Sequence, residues 1–243
     1  MESIRKPFQG IINIILFNWH FYAIAITAII ISITLKCSII TLLLILGVLP
    51  SLIVSYYVYD YSNLYTLKWL DTLNIKEGEL LNIHAGFDET SLLIQNKYTK
   101  SKLTTLDFYD ENSHTEISIK RARKRYKTDS KTIKICTNKI PFKKESIATI
   151  FLIFSAHEIR NQKERNIFFK ELHRVLKPNG NIIITEHLRD ASNFTAYNIG
   201  FLHFLSKNTW LNTFKNADLI IEQQIKITPF ITTYKLSKHG STS

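Results

Sequence analysis

A chain of 243 residues has room for one complete α/β domain and a remainder. Its two cysteines, Cys37 and Cys136, exclude a disulfide framework and suit a reducing compartment for the globular part. The formal net charge of +11 is local: residues 120–144 carry eleven Lys and Arg against one acid, Asp129.

The remainder lies at the front. Residues 1–16 read as a cytoplasmic N-terminal segment. Residues 17–35 are broken only by Asn18, His20 and a few hydroxyls, and 39–59 hold no ionisable side chain besides tyrosines. At ~1.5 Å per residue each run covers about 30 Å, so a hairpin of two membrane-spanning helices is expected over 17–59. The break at Lys36-Cys37-Ser38 allows only a tight turn, which places both termini on one face, and Arg5, Lys6 and Lys68 make that face cytoplasmic. Residues 60–74 follow as an aromatic-rich linker helix, with Leu64, Leu67, Trp69 and Leu70 suited to lying on the membrane or the domain.

From 75 to 243, strand-like runs (80–84, 103–108, 132–136, 147–154, 181–186) alternate with helical ones (90–98, 114–126, 163–176). Such alternation predicts a doubly wound parallel sheet with helices on both faces. A helix over 209–215 and two strands, 219–227 and 230–236, close the chain around Thr228-Pro229. The clearest unit is FKELHRVLKPNGNIIITEHLRD over 169–190. Phe168, Leu172, Val175 and Leu176 recur at helical spacing, Pro178 stops the helix, and Asn179-Gly180 turns the chain into Ile182–Ile184.

Together with IPFKKESIATIFLIFSAHEIR over 140–160, this unit resembles the C-terminal half of class I S-adenosylmethionine-dependent methyltransferases, in which a Leu-Pro-Phe turn enters the fourth strand and Arg-Val-Leu-Lys-Pro-Gly-Gly enters the fifth. The resemblance implies a Rossmann-like sheet, S-adenosylmethionine as cofactor and an antiparallel seventh strand. Where the family has an acid followed by Gly-x-Gly-x-Gly, this chain has Asn82-Ile83-His84-Ala85-Gly86-Phe87-Asp88, so only the central glycine remains. Cofactor contacts are expected from Asn82, His84 and Gly86, and from Asp107, which lies 21 residues after Gly86 at a strand end suited to ribose hydroxyls, with Asp110 as a neighbouring substitute. Cys136, Thr137 and Asn138 stand where the family meets adenine, and Ser155 ends the fourth strand.

Methyl transfer needs orientation first and, for a hydroxyl, phenol or amine acceptor, a base. His157 and His187, at the ends of the fourth and fifth strands, are the candidate bases, with Glu158 and Glu186 to orient them. A metal site from these four residues is set aside, because their spacing follows from the fold. Residues 193–208 lie where the resembling family inserts a substrate-covering helix, which implies an apolar lid of Phe194, Tyr197, Phe201, Phe204 and Leu205; the same pattern also suits a helix packed on the sheet. With the anchor, the lid points to a small or lipid-soluble acceptor. The basic stretch 120–144 has little aromatic interleaving, which argues against nucleic acid and for an anionic leaflet, where each cation near the surface contributes ~1 kcal/mol. Two other readings stand beside the enzyme: a non-catalytic membrane interaction module, favoured by the degraded glycine motif, and a membrane-tethered nicotinamide-dependent reductase, which lacks the second and third glycines it would need.

Overall fold

The computed structural model describes residues 5–240; Met1 and Ser243, on which the shared-face expectation bears most directly, lie outside them. Seven strands form one sheet: β1 (Glu79–His84), β2 (Lys102–Asp107), β3 (Ile133–Lys134), β4 (Ile147–Ile153), β5 (Leu176–His187), β6 (Leu219–Thr228) and β7 (Ile231–Lys238), in the order β3-β2-β1-β4-β5-β7-β6. The first five run parallel and β7 enters antiparallel between β5 and β6. Strand order therefore reverses between β1 and β4, and the carboxyl ends of both strands open onto one crevice.

All seven residues of β4 are buried, as a central parallel strand covered on both faces requires. Numbering continues in chain order: α1 (Gln9–Phe17), α2 (Trp19–Thr34), α3 (Ser38–Tyr56), α4 (Ser91–Lys97), α5 (Ile117–Arg125), α6 (Gln162–Val175), α7 (Ala191–Tyr197) and α8 (Lys207–Asn216). Asn161 caps α6 by accepting from the Lys163 and Glu164 amides. That helix buries Phe168, Phe169, Leu172 and Val175 completely, each burial contributing about 1.5–3 kcal/mol.

The structure departs from the expected elements in several places. The run expected over 17–35 forms a single helix, α2, but a further helix precedes it: α1 begins inside the segment assigned to 1–16 and meets α2 at Asn18 with a bend of 79°. Asn18 leaves helical geometry (φ −118°) and its side chain bonds back to the Ile14 carbonyl, 3.1 Å away. One helical stretch, Ser38–Thr66, is long and apolar enough to cross a membrane, and the bent α1–α2 pair passes the same test only when taken together. α2 and α3 are joined by a Ser32–Thr41 hydroxyl bond of 2.7 Å, and Lys36 takes a left-handed conformation at the turn.

The linker over 60–74 is a succession of turns instead of a helix: a π turn at Tyr57–Tyr61, then 3₁₀ turns at Leu64–Thr66 and Lys68–Leu73 separated by left-handed Leu67. Helix α5 starts three residues later than 114, because the His114 ring bonds the Asp110 amide and holds the preceding loop. β3 is cut to two residues, and β5 starts at Leu176, because Pro178-Asn179-Gly180 runs extended instead of turning. Residues 193–208 divide into α7 and a 3₁₀ turn at Asn198–His203.

Candidate functional site

At the β1 end, Gly86 adopts φ +87°, a conformation that side-chain-bearing residues rarely take, and so turns the backbone towards the crevice. Asn82 does not face that space: its amide donates to Asp88, Thr90 and Ser91, knitting the loop onto α4. His84 Nδ1 accepts from the Gly86 amide at 2.9 Å, which places the ring proton on Nε2, a buried atom with no partner among the described residues. Burial holds His84 below the ordinary imidazole value, outweighing Asp88 and Asp107, which raise it. Ser155 is turned away as well, donating to the Ile83 carbonyl at 2.7 Å and tying β4 to β1.

Asp107 ends β2 opposite His84 and is 4 % exposed. One carboxylate oxygen accepts from the Tyr109 amide and the other from Arg123 Nη1, both close, at 2.9 and 2.8 Å. Arg123 reaches in from α5, lies 4.3 Å over the Tyr109 ring, and so covers Gly86 that a Cβ built there would overlap its guanidinium. Beside it a cleft of about 770 Å³ is lined by Phe108, Tyr109, Cys136, Thr137, Asn138 and Glu164. The structure thus brings Gly86, His84 and Asp107 together at one end and Cys136, Thr137 and Asn138 along the cleft.

The expected bases divide into two environments. His157 sits in a 3₁₀ turn after β4; its Nδ1 is 2.6 Å from Glu186 and its Nε2 is 3.4 Å from Glu158. Burial alone would lower its pKa, but the Glu186 charge and the bonds to both glutamates outweigh burial and push it up to about 10. His157 is therefore an imidazolium at neutral pH and has no lone pair to take a proton. His187, expected to share those glutamates, does not. Its Nδ1 is 2.9 Å from Asn193 Oδ1 and its Nε2 is 2.8 Å from the Tyr59 hydroxyl. The Asn193 amide nitrogen is committed to Asp190 and the Phe230 carbonyl, so Oδ1 accepts from His187 Nδ1 and Nε2 accepts from Tyr59. Burial lowers His187 to about 4, leaving it neutral and able to receive a proton.

Four participants carried no motif to find them by. Tyr59 comes from the π turn below α3, Asn193 from α7, Arg123 from the basic helix, and His203 lies 5.1 Å, ring to ring, from His157. Their segments were visible without their roles: Arg123 lies in the basic stretch, Asn193 and His203 in the expected lid, and Tyr59 in a tyrosine run that also suits an interfacial belt.

The segment expected as a lid lies against the front of the chain. Asn198 donates to the Gly47 carbonyl of α3 at 2.7 Å, while Phe194, Ile199 and Leu202 remain exposed. On the opposite side, α1 buries Gly10, Asn13 and Phe17 and exposes Phe8, Ile12 and Leu16. Its buried face meets α5, where Tyr126 donates to Asn13 at 2.7 Å and Arg121 donates to the Phe17 carbonyl at 2.6 Å. Phe17 also packs edge-on against Phe87 of the glycine loop, 5.5 Å between rings.

Residues 83–184 match the family described as "Methyltransferase domain". No curated protein sequence matches the chain. Among solved structures, an S-adenosylmethionine-dependent methyltransferase from Aquifex aeolicus aligns over 73 % of this chain and 93 % of its own at 19 % identity, TM-score 0.52. A Pyrococcus horikoshii OT3 protein aligns over 71 % and 88 % at 17 % identity, TM-score 0.53. An O-methyltransferase family 2 protein from Planctomyces limnophilus, solved with apigenin, aligns over 71 % and 57 % at 13 % identity, TM-score 0.52. At these identities the likeness establishes the fold.

Proposed function

We infer that this chain, which carries a methyltransferase domain over residues 83–184, is an S-adenosylmethionine-dependent enzyme held at a membrane by its N-terminal hairpin and acting on a small, lipid-soluble acceptor. The observation that carries the acceptor class is the seat of the expected lid: the turn Asn198–His203 is bonded to α3 through Asn198, and its Ile199 and Leu202 are exposed, as are most apolar side chains of the hairpin. A route from the hydrocarbon phase to the crevice then needs no passage through water.

The residues present fit the cofactor. Gly86 leaves backbone approachable, and what covers it is the tip of one flexible side chain, Arg123. Asp107 would hold the ribose hydroxyls, the unpartnered His84 Nε2–H offers a donor for a carboxylate, and Thr137 and Asn138 border the cleft for the base. When bound, the sulfonium supplies an electrophilic methyl group. Arg123 must first leave Asp107, its side chain, already 27 % exposed, swinging out to solvent. Neutral His187 can draw a proton through the Tyr59 hydroxyl from an acceptor placed against it, and Asn193 holds the ring in the tautomer that this needs. His157, clamped between two carboxylates, is a positioning group in this reading.

The basic stretch is assigned to an anionic leaflet. Lys120, Lys124, Arg125 and Lys127 are exposed on or beside α5, and α5 is bonded to α1 and to the foot of α2 through Arg121, which is 2.7 Å from His20 Nδ1. Calorimetry of the full chain in detergent micelles with S-adenosylhomocysteine tests the cofactor, and labelled methyl recovered in the organic extract of host membranes tests the acceptor. Binding with label in the extract is the expected result. Label confined to water-soluble products overturns the acceptor class, and no binding returns the chain to the non-catalytic reading.

A further inference from the structure

The geometry points to a site for a first-row divalent cation formed by His157, Glu158 and His203. One ligand atom from each lies within 4.8 Å of the others, the spread that a single ion of this kind draws together. The surroundings are those of a built site. His157 gives its Nδ1 proton to Glu186 at 2.6 Å, which fixes the ring and leaves Nε2 for an ion, the carboxylate–imidazole arrangement that supports metal-bound histidines; binding there displaces the Nε2 proton of the imidazolium to solvent. Glu158 is 4 % exposed, and its Oε2 is buried with no partner among the described residues, a carboxylate oxygen with nothing there to accept from. His203 turns Nδ1 towards Arg160 Nη2 (2.5 Å) and Glu116 Oε1 (3.5 Å), so its remaining nitrogen, Nε2, is the one left for an ion; ligation there puts the ring proton on Nδ1, where Glu116 accepts it and Arg160 gives way.

Charge points the same way. Arg160 lies 3.4 Å from Glu116 and donates also to the His203 carbonyl, so its positive charge is taken at the rim. Glu158 and Glu186 are then two buried carboxylates facing one imidazole, and a dication would neutralise the pair. Two imidazoles with one carboxylate suit Zn²⁺, Co²⁺, Mn²⁺ or Fe²⁺ and are too nitrogen-rich for Mg²⁺ or Ca²⁺. This site differs from the one set aside on sequence grounds, because His187 is engaged by Tyr59 and Asn193 and its place is taken by a histidine from the lid. His157 and Glu158 stand on the turn after β4 and His203 ends the 3₁₀ turn after α7, so an ion here would pin the lid to the sheet.

The inference does not depend on methyl transfer, and its test does not use it. The full chain in detergent micelles, stripped with a chelator, is titrated with Zn²⁺ and separately with Mg²⁺ by calorimetry, and Co²⁺ is followed by its visible absorption. One equivalent of Zn²⁺ should bind, Mg²⁺ should not, and Co²⁺ should show the intense bands of a low-coordinate nitrogen and oxygen site. His203→Gln and the isosteric Glu158→Gln should each weaken Zn²⁺ by about tenfold or more while melting within the range of the metal-free parent. Unchanged affinity in either folded variant, or no stoichiometric Zn²⁺ in the parent, overturns the site. Should His203→Gln fail to fold, Glu158→Gln alone decides.

Discussion

Arg123 and Asp107 pull against each other at the scale of single residues. The guanidinium is 2.8 Å from a carboxylate that is 4 % exposed, so any ligand seeking that carboxylate must replace it. Removing the competitor by Arg123→Ala should tighten S-adenosylhomocysteine by about threefold to tenfold, the worth of one charge-assisted bond at a partly exposed site. Removing the carboxylate by Asp107→Ala should weaken it by ~1.5–3 kcal/mol. Calorimetry on both variants reads the two signs, and weaker binding in Arg123→Ala would make the arginine part of the cofactor's own cradle. His187 offers a separate check. Its folded value of about 4 lies below the ordinary 6.5, so the unfolded chain takes up the proton first as pH falls. Its contribution to stability is complete above 6.5 and is lost progressively down to about 4, about 3 kcal/mol in all. His187→Gln, which can keep bonds to Tyr59 and Asn193, should flatten the melting temperature between pH 4 and 6.5 relative to the parent. An equal slope in both proteins would assign the loss to other groups.

Elements differ in how openly the sequence displays them. β4 is a short apolar run between turns, β1 and β2 are short runs rich in leucine, isoleucine or threonine, and α6 carries its buried residues at helical spacing, so local pattern is enough for these. Helix α1 is hidden because the sequence reading started the first span at 17 and left the apolar residues ahead of it in a terminal segment; the clue was polar Asn13 aligned with Gly10 and Phe17 on one face of α1. The extended passage through Pro178-Asn179-Gly180 reads as a turn locally and is overridden by pairing, since Leu176 aligns with Ile147 across a register shift in the β4–β5 ladder. The candidate site divides along the same line. Asp107 and the His-Glu pairs stand at strand ends, where topology alone gathers functional groups, whereas Arg123, Tyr59 and His203 arrive on separate elements by contacts that span 16, 128 and 43 residues and leave no local pattern.

For the whole molecule, the front of the chain is a partner of the domain as well as a tail to it. Asp60, in the π turn, receives the Gly10 and Ile11 amides at the start of α1 at 2.7 and 2.8 Å, while the far end of α1 is bonded to α5. Glu89, in the loop after β1, collects Arg5, Gln9 and Tyr65. The domain is therefore gripped at several points along one side, and a swinging tether is not the right picture. On the proposal that the hairpin holds the chain at a bilayer, a body fixed in this way would lose its freedom to tumble and would sample its acceptor in two dimensions. Its turnover should then follow the mole fraction of acceptor among the lipids: diluting labelled vesicles with inert lipid at constant total acceptor should slow the reaction, whereas diluting the same vesicles with buffer should leave the rate per enzyme unchanged.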